Sequence, residues 1–206
     1  MNLLTTPAFV FMLFAVLLGG CSENDQPGGA TPAESAQSQS ASNKQLFQAA
    51  LDGHLVQLRL LLGRGVPVDA HNAEGRTPLM LAAEAGHVGA VRFLLESGAN
   101  VNALSPQNGT ALMFAASGGH TAATRVLLDG GARTELQDPS GLTALAYAVQ
   151  ASHTQTAQVL LDGGANANLV FMKFKTPLSE AAAAGNLDAV RALLARGAAL
   201  HPLAYD

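Results

Sequence analysis

The chain has 206 residues and a formal net charge of -4, from 11 Lys and Arg against 15 Asp and Glu. With no basic run longer than the short Lys173 to Lys175 patch, it carries no footprint for a phosphate backbone, so nucleic acid is not an expected partner. Apolar residues make up 49% of the chain but aromatic ones only 5%, and Trp is absent, so Ala, Leu and Val must build the core, which favours thin, close-packed helical layers.

From Ala8 to Leu18 the chain is apolar without interruption for 11 residues. That is the size of a signal-peptide hydrophobic region and well short of the roughly 20 residues needed to span hydrocarbon. Residues 1–20 are therefore predicted to be a signal peptide, although Met1 to Pro7 holds no Lys or Arg and leaves only the terminal amine to supply positive charge. The segment closes on Leu18-Gly19-Gly20-Cys21, which resembles the lipobox of bacterial lipoproteins, where a branched residue and two small ones precede an invariant Cys. The resemblance implies cleavage before Cys21, lipidation of its thiol and acylation of the new amino terminus. Two or more acyl chains, at about 0.8 kcal/mol per buried methylene, give stable anchoring. Cys21 is the sole cysteine, so no intramolecular disulfide can form. Ser22 is not the Asp that retains many such lipoproteins in the inner membrane. The resemblance thus implies the periplasmic side of the outer membrane of a Gram-negative bacterium, with membrane contact through the lipid alone.

Residues 21–43 hold the lipidated Cys and a segment rich in Ser, Gln, Ala, Gly and Pro with almost no large apolar side chain. Such a composition cannot bury enough surface to offset the entropy of ordering. Ser22 to Asn43 is expected to be a flexible linker, with a random-coil reach of roughly 25 Å.

The remainder, 44–206, repeats itself. Thr77-Pro78-Leu79, Thr110-Ala111-Leu112, Thr143-Ala144-Leu145 and Thr176-Pro177-Leu178 follow one another at intervals of 33 residues. The same step links Gly53-His54, Gly86-His87, Gly119-His120, Ser152-His153 and Gly185-Asn186, and also Leu61-Leu62, Leu94-Leu95, Leu127-Leu128, Leu160-Leu161 and Leu193-Leu194. Five repeats follow, at about 41–70, 74–103, 107–136, 140–169 and 173–203. The pattern resembles the ankyrin repeat, which joins a β-hairpin turn to two antiparallel helices, and it implies an all-α solenoid. The His that often follows Thr-Pro-Leu in that family is replaced here by Met80, Met113, Ala146 and Ser179. The first repeat lacks the Thr-Pro-Leu start and reads as an amino-terminal cap.

The residues account for such a unit physically. In the third repeat Thr110 is placed to cap the first helix, and Ala115-Ala116 let neighbouring helices approach. Gly119 ends that helix, Val126-Leu127-Leu128 form the inner face of the second, and Gly131 supplies a left-handed ending. Asn108-Gly109 stands where a hairpin Gly is expected, and Asn tolerates positive φ. One repeat is too thin to hide its apolar side, so the core must be shared by stacking.

The histidines at 54, 87, 120 and 153 could be read as a metal ladder. Neighbouring helices pack about 8 to 10 Å apart, whereas imidazoles sharing a zinc must each place a nitrogen about 2 Å from it. A structural role at the turn between paired helices is expected instead, and no metal or other cofactor is predicted. There is no Gly-rich phosphate loop, ligand cluster or Gly-x-Ser-x-Gly turn. The remaining acids, such as Glu74, Glu84, Asp129, Glu135, Asp162 and Asp188, are scattered, so no enzyme activity is expected.

Ankyrin proteins usually bind through hairpin tips and the first-helix face, and the resemblance carries those positions over one by one. They are Glu74, Arg76 and Glu84 in the second repeat, Gln107 and Ser117 in the third, Ser140, Leu142 and Gln150 in the fourth, and Phe171, Met172, Lys173, Phe174 and Lys175 in the fifth. The fifth hairpin replaces the usual polar tip with two Phe, a Met and two cations. If exposed, those apolar groups would be an interface anchor; alternatively they fold inward against the last repeat. The expectation is a monomeric adaptor or inhibitor whose partner is an envelope protein or a delivered one. Bacterial ankyrin proteins of the envelope include proteins linked to oxidative-stress tolerance and immunity proteins that neutralise delivered toxins such as lipases. A structural tether without regulatory role is the remaining reading.

Overall fold

A computed structural model of the chain describes residues 32–106, 109–171 and 175–200, with side chains from residue 39 onward. Among these residues, ten helices follow in order: α1 (Pro32–Leu51), α2 (Leu55–Gly63), α3 (Pro78–Glu84), α4 (Val88–Glu96), α5 (Ala111–Ser117), α6 (Thr121–Asp129), α7 (Ala144–Gln150), α8 (Thr154–Asp162), α9 (Pro177–Ala183) and α10 (Leu187–Ala195). From α3 onward a seven-residue first helix alternates with a nine-residue second helix, in step with the 33-residue period. First helices stack on first helices, α1 on α3, α3 on α5, α5 on α7 and α7 on α9. Second helices do likewise from α2 to α10. The protein is an all-α solenoid in which each unit touches only its neighbours.

Local chemistry starts each first helix at the same place. Pro78 and Pro177 sit at the first helical position, where a missing N–H costs nothing. Thr77 and Thr143 accept from the amides of Met80 and Ala146 at 3.4 Å, and Thr176 accepts from Ser179 at 3.1 Å. Thr110 corrects the expected pattern. Its backbone is extended at the cap position, but its buried hydroxyl makes no hydrogen bond. The caps at 77 and 143 are themselves long, at 3.4 Å, and in the third repeat the Thr110 amide meets Met113 Sδ at 3.4 Å.

The inner leucines carry the core. Leu79, Leu112 and Leu145 on first helices and Leu61, Leu94, Leu127, Leu160 and Leu193 on second helices are almost wholly buried, each worth roughly 1.5 to 3 kcal/mol of transfer free energy. Buried alanines, among them Ala82, Ala83, Ala115, Ala116 and Ala148, let the helices approach.

One boundary differs from expectation. Helix α1 begins at Pro32, so the flexible linker predicted over Ser22 to Asn43 is helical from 32 onward. Pro suits a helix start, and Ala33, Glu34, Ala36, Gln37, Gln39 and Ala41 are strong helix formers that extend a helix nucleated by packing at its other end. The packing itself lies at Leu46, Ala49 and Ala50, and Gln39 to Ala41 are exposed. Residues 39–43 contribute no buried side chain, yet they are helical. Cys21 and the signal segment lie outside the described residues.

Candidate protein-binding surface

Between the units the chain projects hairpin tips at 72–76, 105–109, 138–142 and 171–175, again 33 residues apart. Each is closed by backbone bonds: Asn72 N–H to Arg76 O at 3.0 Å, Ser105 N–H to Gly109 O at 3.0 Å, Asp138 N–H to Leu142 O at 3.0 Å and Phe171 N–H to Lys175 O at 2.8 Å. In two tips a side chain tightens the turn. Asn72 Oδ1 accepts from the amides of Glu74 and Arg76, at 3.0 and 2.9 Å, and Asp138 Oδ1 accepts from those of Ser140 and Leu142, both at 2.8 Å. At these two tips the first residue turns its side chain into the loop.

In three of the four tips a side chain then ties the tip to the first helix behind it. Arg76 Nη1 meets Glu84 Oε2 at 2.7 Å while its Nε lies 3.0 Å from Glu74, and the same guanidinium lies 5.0 Å from the centroid of the Phe114 ring in the next repeat. In the fourth repeat the Tyr147 hydroxyl donates to Asp138 Oδ2 at 2.6 Å. In the fifth, Lys175 Nζ pairs with Glu180 Oε1 at 2.8 Å. Burial pushes the Tyr147 phenol up to about 12, and the Asp138 carboxylate that accepts its proton adds to the shift. The phenol therefore stays protonated near neutral pH and keeps donating to Asp138.

Leu81, Phe114, Tyr147 and Glu180 occupy one position of successive first helices and form a continuous row. None of these four was singled out from the sequence, although the 33-residue step marks them as equivalent. Around the row Glu74, Glu84, Ser117, Ser140, Gln150 and Lys175 are exposed and Arg76 is half-buried. The structure thus gathers these predicted positions on one surface of tips and first helices.

Two predicted binding residues are corrected. Phe171 is only 3% exposed and packs with Leu142, Ala146 and Tyr147, and Leu142 is itself 5% exposed. Phe171 stands at the tip position that Asn72 and Asp138 use to point inward, and an apolar side chain there is directed at the preceding repeat. Neither is an exposed anchor; together they join the fourth and fifth repeats. Gln107, Met172, Lys173 and Phe174 lie outside the described residues.

A family model for ankyrin repeats in three copies matches residues 46–138, 98–170 and 115–202. The chain belongs to the ankyrin-repeat family. No curated protein matches it. Ankyrin repeats are a scaffold for protein–protein interaction, and the tip and first-helix surface of this ankyrin stack gathers charged, amide and aromatic groups.

The histidines of the ankyrin stack serve its joints. Nε2 of His87, His120 and His153 donates to the carbonyls of Leu51, Glu84 and Ser117 in the preceding repeats, at 2.9, 2.8 and 3.1 Å. Each ring covers the glycine two residues beyond its acceptor, so that a Cβ on Gly53, Gly86 or Gly119 would stand within about 2.6 Å of the imidazole. Where the fourth repeat has Ser152 instead, at φ 59°, the next unit carries the shorter Asn186. Asn186 bonds sideways to Thr154 at 2.8 Å and leaves room for the serine.

Proposed function

We propose that this ankyrin protein is a protein-binding module held by lipid on Cys21 at the periplasmic side of the outer membrane, where it acts as an adaptor or inhibitor of an envelope protein. The observation that carries the binding reading is the continuous surface of tips and first helices, in which the Arg76–Glu84 and Lys175–Glu180 pairs flank Phe114 and Tyr147. Side chains already fixed in place lose less freedom when a partner docks, and half-buried aromatic and Arg side chains are the types that dominate binding energy. The anchor reading rests on Leu18-Gly19-Gly20-Cys21 and the apolar run before it. The role in this reading is binding rather than catalysis, in keeping with the ankyrin scaffold.

The test is affinity capture from envelope fractions of producing cells, using the tagged parent chain, a Cys21→Ser chain and a Glu84→Lys/Gln150→Lys chain. The reading expects Cys21→Ser to leave the membrane fraction, and the groove variant to lose a protein that the parent retains. Membrane association of Cys21→Ser equal to the parent overturns the anchor. Equal capture of the same proteins by the groove variant overturns the surface.

A further inference from the structure

The two ends of the stack do not look like ends. Terminal repeats of solenoids ordinarily present a polar outer face to water, yet Val56 on α2 is 85% exposed and Leu187 on α10 is 68% exposed, with Leu60 and Leu194 also open. Leu60 is a stacking position, since its counterparts Val126 and Val159 are buried, whereas Val56 stands at a rim position that is exposed in every repeat, at Gly89, Ala122, Gln155 and Asp188. Ala182 is exposed, whereas its counterparts Ala83, Ala116 and Val149 are buried under the following unit. Leu194 is exposed, whereas its counterparts Leu95 and Leu128 lie within 3 Å of where a Cβ would stand on Gly130 and Gly163 of the next repeat.

The two faces also match each other in the register of the internal joints. His54 is the first member of the His54, His87, His120 and His153 series, and its side chain is 69% exposed with only Asp52, 4.0 Å away, beside it. The others each cap a carbonyl and cover a glycine of the unit before. At the far end Ala183 and Gly185 are the counterparts of that carbonyl and glycine, and nothing lies within 4 Å of a Cβ on Gly185. Leu55 lies against Gly89 across the first joint, and the same step sets Leu187 against Val56. Arg196 donates to the Leu161 carbonyl at 2.8 Å and pairs with Asp162 across the last joint. The same step sets Arg64 against Leu194.

We propose that the amino-terminal face of one copy of this chain docks on the carboxy-terminal face of a second copy, continuing the stack from protein to protein. The joint places His54 over Gly185 with Nε2 donating to the Ala183 carbonyl, Val56 on Leu187, and Arg64 along Leu194. Such a head-to-tail contact is heterologous and does not close by itself, so assemblies lengthen as concentration rises, and the expected monomer is the dilute limit. The proposal concerns the ends of the stack and rests on neither the lipid anchor nor the tip surface.

Thiol cross-linking of the full chain with a bis-maleimide tests it. One preparation carries Val56→Cys, another Leu187→Cys, and the parent chain, whose only thiol is Cys21, sets the background. Both substitutions fall on exposed positions, and circular dichroism checks that the helices persist. The proposal expects covalent dimer when the two are mixed, little from either alone, and loss of the dimer when Leu194→Asp is added to the Leu187→Cys chain. Dimer from Leu187→Cys alone at the level of the mixture means tail-to-tail pairing and overturns it. Equal yield when Gln158→Cys, on an exposed second-helix position, replaces Leu187→Cys means random collision and overturns it, as does no dimer in the mixture.

Discussion

His120 and Gly86 are fitted to one another across a repeat joint: a Cβ on Gly86 would stand 2.5 Å from the imidazole Nδ1, and the same ring donates to the Glu84 carbonyl at 2.8 Å. Gly86→Ala therefore carries two penalties, a side chain at φ +71°, worth roughly 1 to 2 kcal/mol, and displacement of a hydrogen-bonded ring, worth about 1 kcal/mol more. Gly185→Ala, at φ +66° with open space around it, carries only the first. Urea unfolding of the two variants should show the larger loss for Gly86→Ala; equal losses would mean the ring moves aside freely.

Leu127 on α6 is fully buried in the middle of the stack. Leu127→Ala should cost about 2 to 5 kcal/mol of unfolding free energy, the range for truncating a leucine in a core that closes only partly around the void. A loss under about 0.5 kcal/mol, the level of a neutral surface change, would mean that the face assigned to the core is wrong.

Phe171 seals the joint between the fourth and fifth repeats against Leu142 and Ala146. Phe171→Ala should cost about 3 to 5 kcal/mol and should raise amide exchange chiefly in α7 to α10, because a stack opens unit by unit. Lys175→Ala, which removes the pair of an exposed Lys with the mostly buried Glu180, should cost less than Phe171→Ala and leave the exchange pattern of α7 and α8 unchanged. If Phe171→Ala leaves stability unchanged, its side chain is not in the core.

The fold was legible because the 33-residue step aligns caps, glycines and leucines at once, and no other arrangement uses all three. What the step did not convey is which way a tip side chain points. Leu142 reads as a surface group from its place at a tip, and the fifth-hairpin aromatics read as either exposed or folded inward; Phe171 takes the inward course, at the position where Asp138 and Asn72 bend into their own turns. Comparing the tips with one another would have flagged the inward position. Phe114 and Tyr147 were missed although the 33-residue step marks them as equivalent, because nothing in the sequence shows that this first-helix position is half-buried. Helix α1 was missed over 32–43 because burial and helix formation were treated as one property, whereas a segment rich in Ala, Gln and Glu, even with Ser interspersed, needs packing at one end only.

Tyr147 gives the stack an alkaline limit. Its folded-state pKa of about 12 lies above the ordinary value of 10.0, through burial and the bond to Asp138. A raised pKa stabilises the protonated folded form, so this contribution is complete below pH 10 and is lost as pH rises towards about 12. Unfolding midpoints of the parent should fall across that window relative to Tyr147→Phe, which has no proton to lose. In a Tyr205→Phe chain, where Tyr147 is the sole tyrosine, the ultraviolet band of tyrosinate should appear only towards the upper end of the window. Parallel midpoints, or a tyrosinate signal centred at the ordinary value, would contradict the buried hydrogen bond.

The most direct test of the account places a photo-reactive amino acid at Ser117 or Gln150 on the tip and first-helix surface, and in a third strain at Gln158 on α8, all exposed positions. Irradiation of living cells should yield the same protein adduct from Ser117 and Gln150 and none from Gln158. An adduct from Gln158 with none from the other two would place the partner on the opposite side of the stack and contradict the central claim.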